Sequence, residues 1–598
     1  MGLVAVVATL LFVVSPASRA DEPTAGARQG ATLRVGTVLT GDVPDWLDCR
    51  DSGVREVWEL THEPLAGCSA EDCTPEPRFA ESWSASPDAR VWTFSIRSGL
   101  TWHDGEPADA YDAEFSYRRA LRDDAPVLAG SLDGIERVVA DDELTLRVVC
   151  SRPRADLLTL RVPIIPEHAW DTVDVRRARQ DGPTPDLMVG TGPFQCVEWE
   201  PGEYARLAPS DGSSVGMPGV DDVLLLSFAD KGEMVRGLRA GLLDAASAVP
   251  PGSIAGLGKA AALEVTEFPT TDWTYLALNC AAGHPALVDP AFRRALAWAV
   301  DGERLAKLVF NGRAQPGITA ITGAGYGAAV RWTPAEGEAI GGDEQEAKRI
   351  LDEAGFVDDD GDGIRECDGR PITLRLWAGA ASSTDQKAGK LLATWFERLG
   401  LAIRLETLEE DDLRERLERT VDGVPAPDFD LLVAESTGAV DPGQTLERFT
   451  AAHIGTTNVS GWTDAEYERL AAEQQQETDP ELRADLLRRM QEILYVECPQ
   501  VALAYPTQAE SFNVARWRGW VHTPSPDGPV VFGGYSIASY VELQRVVRTA
   551  AGSPSGRNGT VAVVAGVCVA VVAAVGGGML YRRSRRASRD SRRDDGKD

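Results

Sequence analysis

VWTFSIRSGLTWHDGEPADAYDAEFSYRRAL, residues 91–121, is the stretch on which the reading of the whole chain turns. From Val91 to Arg97 polar and apolar side chains alternate, with Trp92, Phe94 and Ile96 on one face, which is the period of a half-buried strand. His103-Asp104-Gly105 supplies turn residues, and Gly105 is free to take a positive φ. From Asp109 the period lengthens. Tyr111, Phe115, Ala120 and Leu121 recur at helical spacing, and Asp109 or Asp112 is placed to cap or charge the first turn. The segment predicts strand, turn and helix, a unit of an α/β protein.

The ends of the chain place that unit outside a cell. Residues 3–14 form an apolar run too short to span a bilayer, followed by Ser15-Pro16 and Ser18-Arg19-Ala20, which reads as a signal peptide over 1–20. No Cys adjoins Ala20 to carry a lipid. Residues 560–581 carry no charge, and as a helix they cover the ~30 Å hydrocarbon core of a bilayer. Arg582, Arg583, Arg585, Arg586 and Arg589 follow at once, so the tail 582–598 is expected in the cytoplasm and the body outside. Residues 547–559, with Gly-Ser-Pro-Ser-Gly inside, read as a flexible linker.

Composition agrees with an exported, folded body: 43% of residues are apolar and 25% charged. The formal charge is −32 although the basic tail is cationic, so the exterior is strongly acidic. Such a surface repels nucleic acid and favours cationic or neutral ligands. Of nine Cys, Cys568 lies in the apolar span and eight lie outside it, an even number that in an oxidising space suggests disulfides. Cys68 and Cys73 are close enough for a local bridge; the remaining pairings are not readable from spacing.

Residues 91–121 resemble the signature region of the extracellular solute-binding proteins of ATP-binding cassette importers, family 5, the class of the oligopeptide and dipeptide binders. Further stretches resemble it in order: GTGPF at 190–194 with Trp199, Pro201 and Gly202, then 274–317, then the last helices and Pro499 within 458–503. In 274–317 the match runs through Asn279, Pro285, Asp289, Arg293 or Arg294, Ala295, Leu296, Ala299 and Asp301. The resemblance spans residues 32–545. It implies a two-lobed, type II periplasmic-binding-protein-like α/β fold with an inserted β-rich subdomain, here extended by a C-terminal transmembrane helix. By analogy lobe I takes 31–65, 189–268 and 506–546, the insertion 66–188 and lobe II 269–505. The implied partners are a small solute, peptide or cationic, and ABC permease subunits; no nucleic acid is expected.

In the peptide binders an Asp four residues before the Pro of a "D-P" or "E-P" segment anchors the peptide ammonium, with a Trp three residues earlier. Against Asp441-Pro442 those places hold Gly438 and Glu435, so the resemblance does not carry a standard peptide pocket across. Glu435 or Asp441 could take a cation instead. Trp273 and Tyr275 share a strand face and, with Asn279, are the other ligand candidates; the aromatic pair equally suits a core. Asp358, Asp360, Asp362 and Gly363 resemble the first half of a calcium loop, but the twelfth position is Gly369 instead of Glu, which favours a solvated turn and no cofactor. The six His are scattered and no G-x-S-x-G occurs, so no catalytic residue is assigned. The other readings are a membrane-anchored hydrolase and a solute sensor that does not transport.

Overall fold

The computed structural model describes residues 31–546 apart from 38–51, 123–128, 175–186, 201, 229, 282 and 532–536. The expected signal peptide, linker, apolar span and basic tail lie outside the described residues. Among the described residues no helix is long and apolar enough to cross a membrane.

Lobe I opens with β1 (Thr32–Thr37) and α1 (Ser52–Thr61). The chain then leaves for an insertion: the hairpin β2 (Ala66–Cys68) and β3 (Pro75–Pro77), then β4 (Ala80–Ala85), β5 (Val91–Ile96), α2 (Ala110–Arg122), β6 (Ile135–Asp142) and β7 (Thr145–Cys150). Strands β4-β5-β7-β6 form their own antiparallel sheet. The chain returns through β8 (Phe194–Glu200), β9 (Tyr204–Pro209), β10 (Asp222–Ser227), β11 (Ala245–Ala246) and β12 (Leu263–Pro269). Lobe II holds β13 (Asp272–Leu278), α3 (Pro290–Trp298), β14 (Ala314–Pro316), β15 (Thr373–Gly379), α4 (Ser383–Glu397), β16 (Ala402–Leu408), β17 (Leu431–Thr437), α5 (Pro442–Glu447), α6 (Ala465–Gln474) and α7 (Pro480–Glu497). It ends in β18 (Gln500–Asn513).

Strand β18 joins the two lobes. Its first half pairs with β13 and β14, its second half with β12 and β11, so one sheet runs β16-β15-β17-β13-β18-β11-β1-β10-β9-β8. The other crossing is the short link Thr270-Thr271 between β12 and β13. Each lobe has a separate core. One gathers Leu33, Trp58, Phe194 and Tyr540 of lobe I with Trp92, Phe94 and Phe115 of the insertion; the other gathers Leu276, Phe292, Leu376 and Phe396 of lobe II. Lobe I and the insertion are therefore one packed body.

The signature region folds as its pattern predicts, with one correction. Trp92, Phe94 and Ile96 are buried, and Gly105 has φ 92°. Asp109 caps α2 by accepting the Tyr111 N–H at 2.8 Å, while Asp112 accepts the Trp102 indole N–H at 3.2 Å and the Glu167 N–H at 2.9 Å. Trp102 and Asp112, both in the signature region, are thus joined by a buried hydrogen bond. Tyr111 and Leu121, expected on the apolar face, are exposed; the buried face is Ala113, Phe115, Ser116, Tyr117 and Ala120. Gly190 and Gly192 keep ordinary φ, but a Cβ on Gly190 would lie 1.8 Å from the Thr61 carbonyl oxygen, which receives the Gly192 N–H at 2.9 Å. The glycines let two backbones touch. Arg293, in α3, donates to the carbonyls of Leu287, Val288 and Glu497 at 2.8–2.9 Å.

The insertion also grips lobe II. The expected Cys68–Cys73 disulfide closes the β2–β3 hairpin, and both cysteines belong to a core cluster otherwise built from lobe II, with Trp273, Tyr326 and Trp462. Beside it, Arg154 forks onto Asp156 through Nε at 2.5 Å and Nη2 at 2.9 Å. The Gln444 side-chain amide donates to the same Asp156 carboxylate, and the Ala155 N–H donates to the Gln475 carbonyl at 2.9 Å. Burial works to raise the Asp156 pKa, but the Arg154 guanidinium overrides it and holds the carboxyl low. Asp156→Ala strands Arg154, whose side chain is 1% exposed. Denaturant unfolding of that variant is expected to show a loss of about 3–5 kcal/mol.

Candidate functional site

In open α/β sheets, ligands settle outside the carboxyl ends of the parallel strands. In lobe II that edge is formed where β15 ends at Gly379 and β17 ends at Thr437, with the start of β13 running beside them. The register pairs Asp272 with Thr437, Trp273 with Ser436 and Thr274 with Glu435. Directly opposed residues share a face. Asp272 and Glu435 therefore project together, and Trp273 and Tyr275 project from the other face.

Three carboxyl groups gather at this edge. Asp272 accepts the Thr437 hydroxyl at 2.6 Å and the Thr270 hydroxyl at 2.8 Å, and Glu435 is exposed beside it. Asp385, in the first turn of α4, is buried, and its Oδ1 has no hydrogen-bond partner among the described residues. Burial first, then the Glu435 charge, pushes the Asp385 carboxyl up to about 6. Burial and then Asp272 raise Glu435 as well. Each ionised carboxylate makes the next harder to ionise, so an arriving cation relieves repulsion already present.

Trp273 and Tyr275 stack obliquely, with ring centroids 6.1 Å apart, as their shared face requires. They differ in use. Trp273 is 2% exposed, within the lobe II cluster that includes Tyr505 and Phe449. Its indole N–H has no partner among the described residues. Tyr275 is only part-buried; burial pushes its hydroxyl up to about 12, against the nearby Arg448 cation. Arg448 donates to the Thr437 carbonyl at 2.8 Å and the Ser436 hydroxyl at 3.1 Å. It supplies the one positive side chain in this cluster of named residues.

The other sequence candidates fall elsewhere. Asn279 follows the last residue of β13, at the end opposite Asp272, and its amide donates to the Pro427 and Phe429 carbonyls at 3.0 and 2.9 Å. It pins the approach to β17, and it borders a 530 Å³ cavity lined also by Leu413, Leu417, Ile454 and Val459. Asp441 is 1% exposed. Its two oxygens take the Arg483 guanidinium at 2.7 and 2.8 Å, and it caps α5 through the Gly443 N–H at 2.8 Å. A carboxylate so engaged has no charge to offer a ligand. Gly438 donates its N–H to the Thr271 carbonyl at 2.9 Å, and a Cβ there would sit 3.0 Å from that oxygen. The position leaves little room for an anchoring side chain.

Asp358, Asp360 and Asp362 bring carboxylate oxygens within 4.8 Å of one another. Those oxygens accept the N–H groups of Gly361, Asp362, Gly363 and Ile364 at 2.7–3.0 Å. The carboxylates thus serve the backbone of their own exposed turn, and Gly369 stands at the place of the closing Glu of a calcium loop. Sequence reading missed Asp272, Asp385 and Arg448. No motif marks them, because their meeting depends on the register of β13 with β17 and on where α4 begins.

Comparison with known proteins agrees with this architecture. The family described as bacterial extracellular solute-binding proteins, family 5 Middle, matches residues 74–453. Di/tripeptide-binding protein 2 of Pseudomonas aeruginosa is 24% identical over 491 residues, covering 76% of this chain and 86% of that protein. Protein XP55 of Streptomyces lividans is 26% identical over 461 residues, covering 74% of this chain and 79% of that protein. Among solved structures, HbpA2 from Haemophilus parasuis superposes with a TM-score of 0.71 at 20% identity, over 86% of this chain and all of that one. The periplasmic murein tripeptide-binding protein MppA in its unliganded open form also reaches 0.71, at 19% identity over 86% of this chain and 98% of that one. With two α/β lobes joined by a shared strand and a family match across the body, this chain belongs to family 5 of the bacterial extracellular solute-binding proteins, the solute receptors of ATP-binding cassette importers.

Proposed function

We propose that the protein captures a small solute bearing a cationic group, a peptide or a compound of similar chemistry, by closing its lobes on it, and delivers it to an ABC permease. The observation that carries the cationic preference is the convergence of Asp272, Asp385 and Glu435 at the carboxyl edge of lobe II, with one Asp385 oxygen unpartnered. Relatives named as di/tripeptide-binding proteins support a peptide as one form of that cation. In this reading Glu435 and Asp385 hold the positive group and no resident cofactor takes part. The acidic body adds long-range attraction. The link at Thr270-Thr271 and the continuous β18 act as the hinge of closure.

We further place residues 1–20 as a cleaved signal peptide and 560–581 as a membrane span that tethers the receptor by the linker 547–559. The support is the uncharged run and the arginines that follow it. Fractionation of the producing cell is expected to leave the full chain with membranes after carbonate washing, while a chain ending at residue 546 is released. Recovery of the full chain in the soluble fraction would remove the tether.

Binding of lysine-containing di- and tripeptides, followed by calorimetry and by a rise in Tm, tests the receptor reading. Stoichiometric binding is expected, whereas turnover of the peptides would favour the hydrolase. Glu435→Lys is expected to weaken binding of such a cationic peptide roughly tenfold or more. An unchanged Kd would exclude Glu435 from the site. The raised carboxyl of Asp385 fixes the pH dependence. Above about 6 it is ionised and attracts the cation; as pH falls through that value it takes up a proton and affinity drops. Asp385→Asn is expected to bind weakly at pH 7 and to flatten the profile between pH 5 and 7.

A further inference from the structure

Five cysteines within the described residues carry free thiols: Cys150, Cys196, Cys280, Cys367 and Cys498. Two of them meet where β13 ends and β18 begins. The ladder pairs Leu276 with Val501 and Ala277 with Gln500, and one step further the Leu278 N–H donates to the Pro499 carbonyl at 3.1 Å. Cys280 lies two residues beyond Leu278, and Cys498 immediately precedes Pro499. The two backbones are thus adjacent at this point, although 218 residues of sequence separate them.

The side chains share surroundings as well. Arg293 and Glu497 act electrostatically on both thiols, and Cys498 also feels Cys280. Each thiol donates to a nearby backbone carbonyl of its own segment, Cys280 to Leu278 at 3.2 Å and Cys498 to Tyr495 at 3.0 Å. Cys498 also occupies an unusual place. It ends α7 in the left-handed conformation, φ 48° and ψ 47°, where glycine is the low-cost residue. The remaining thiols sit on other elements: Cys150 ends β7, Cys196 lies in β8 and Cys367 follows the acidic turn.

We propose that Cys280 and Cys498 form a second disulfide in the exported protein, tying the end of β13 to the α7–β18 junction. It would fix the lobe II end of the strand on which both lobes turn. The oxidant is a disulfide of the thiol–disulfide exchange class. One cysteine thiolate attacks a sulfur of the donor disulfide and expels a donor thiolate. The second cysteine thiolate attacks the mixed disulfide and expels the other, so two electrons pass to the donor, and the two protons lost by the cysteines end on its thiols. Burial pushes Cys280 up to about 11 and Cys498 up to about 12, so in the packed protein both keep their protons. The bond therefore forms during folding, in an oxidising compartment.

The test uses the full chain exported into an oxidising compartment, unfolded in guanidinium with N-ethylmaleimide and digested. Mass spectrometry is expected to find one cross-linked species containing Cys280 and Cys498 that disappears on reduction, beside the Cys68–Cys73 loop. Recovery of both residues as maleimide adducts, or joined to other cysteines, would overturn the proposal. Cys280→Ser and Cys498→Ser are each expected to lower Tm by roughly 5 °C or more, and the double variant by no more than either alone. Additive losses in the double variant would show two independent packing defects and no bond. Should a variant fail to be secreted, the map of the unaltered chain decides the matter.

Discussion

A single strand, β18, holds this molecule together. Its 14 residues give hydrogen-bond partners to β13 and β14 on one side of the hinge and to β12 and β11 on the other. Because a backbone ladder is satisfied group by group, neither lobe can leave β18 without exposing amides and carbonyls. Relative motion is therefore confined to bending of this strand and of the short Thr270-Thr271 link. In the proposed reading, a solute is enclosed where the edges of the two lobes face each other across that link.

The insertion adds a second constraint. It shares a core with lobe I, yet its disulfide loop packs among lobe II aromatics and its Asp156 receives a lobe II amide. Closure thus works against, or with, a polar contact whose charges are already paired. Arg154 and Asp156 are matched within the insertion, and Arg483 and Asp441 within lobe II. Neutral amides make the hydrogen bonds between them, from Gln444 to Asp156 and from Ala155 to Gln475, and the Arg483 cation also acts on Asp156 through space.

Electrostatic availability decides the candidate site. Lobe II offers many carboxylates, but most are engaged. Asp441 is bound by Arg483, and Asp430 by Arg375 at 3.0 Å. Asp358, Asp360 and Asp362 are capped by their own turn. Asp385 is raised by burial and then by Glu435, and Glu435 by burial and then by Asp272, instead of being lowered by a cation. Such raised carboxyl groups are where a cationic ligand gains most.

The features legible in the sequence are those made by neighbours in the chain. Trp92, Phe94 and Ile96 announce a strand, Asp109 caps the helix that follows it, and Asp289-Pro290 starts the next lobe's helix, because alternation and capping act over a few residues. The same locality made the Cys68–Cys73 bridge readable. Alternation also puts Trp273 and Tyr275 on one face, but whether that face is core or pocket depends on what packs over it. Tertiary structure alone decided that Asp441 is spent on Arg483, 42 residues away, and that Asn279 is spent on the backbone near Phe429. It alone brought Asp385 to Glu435 and Cys280 to Cys498. Side-chain chemistry is set by residue type, but a charge or a thiol becomes usable only through what stands next to it in space, and spacing along the chain does not encode that.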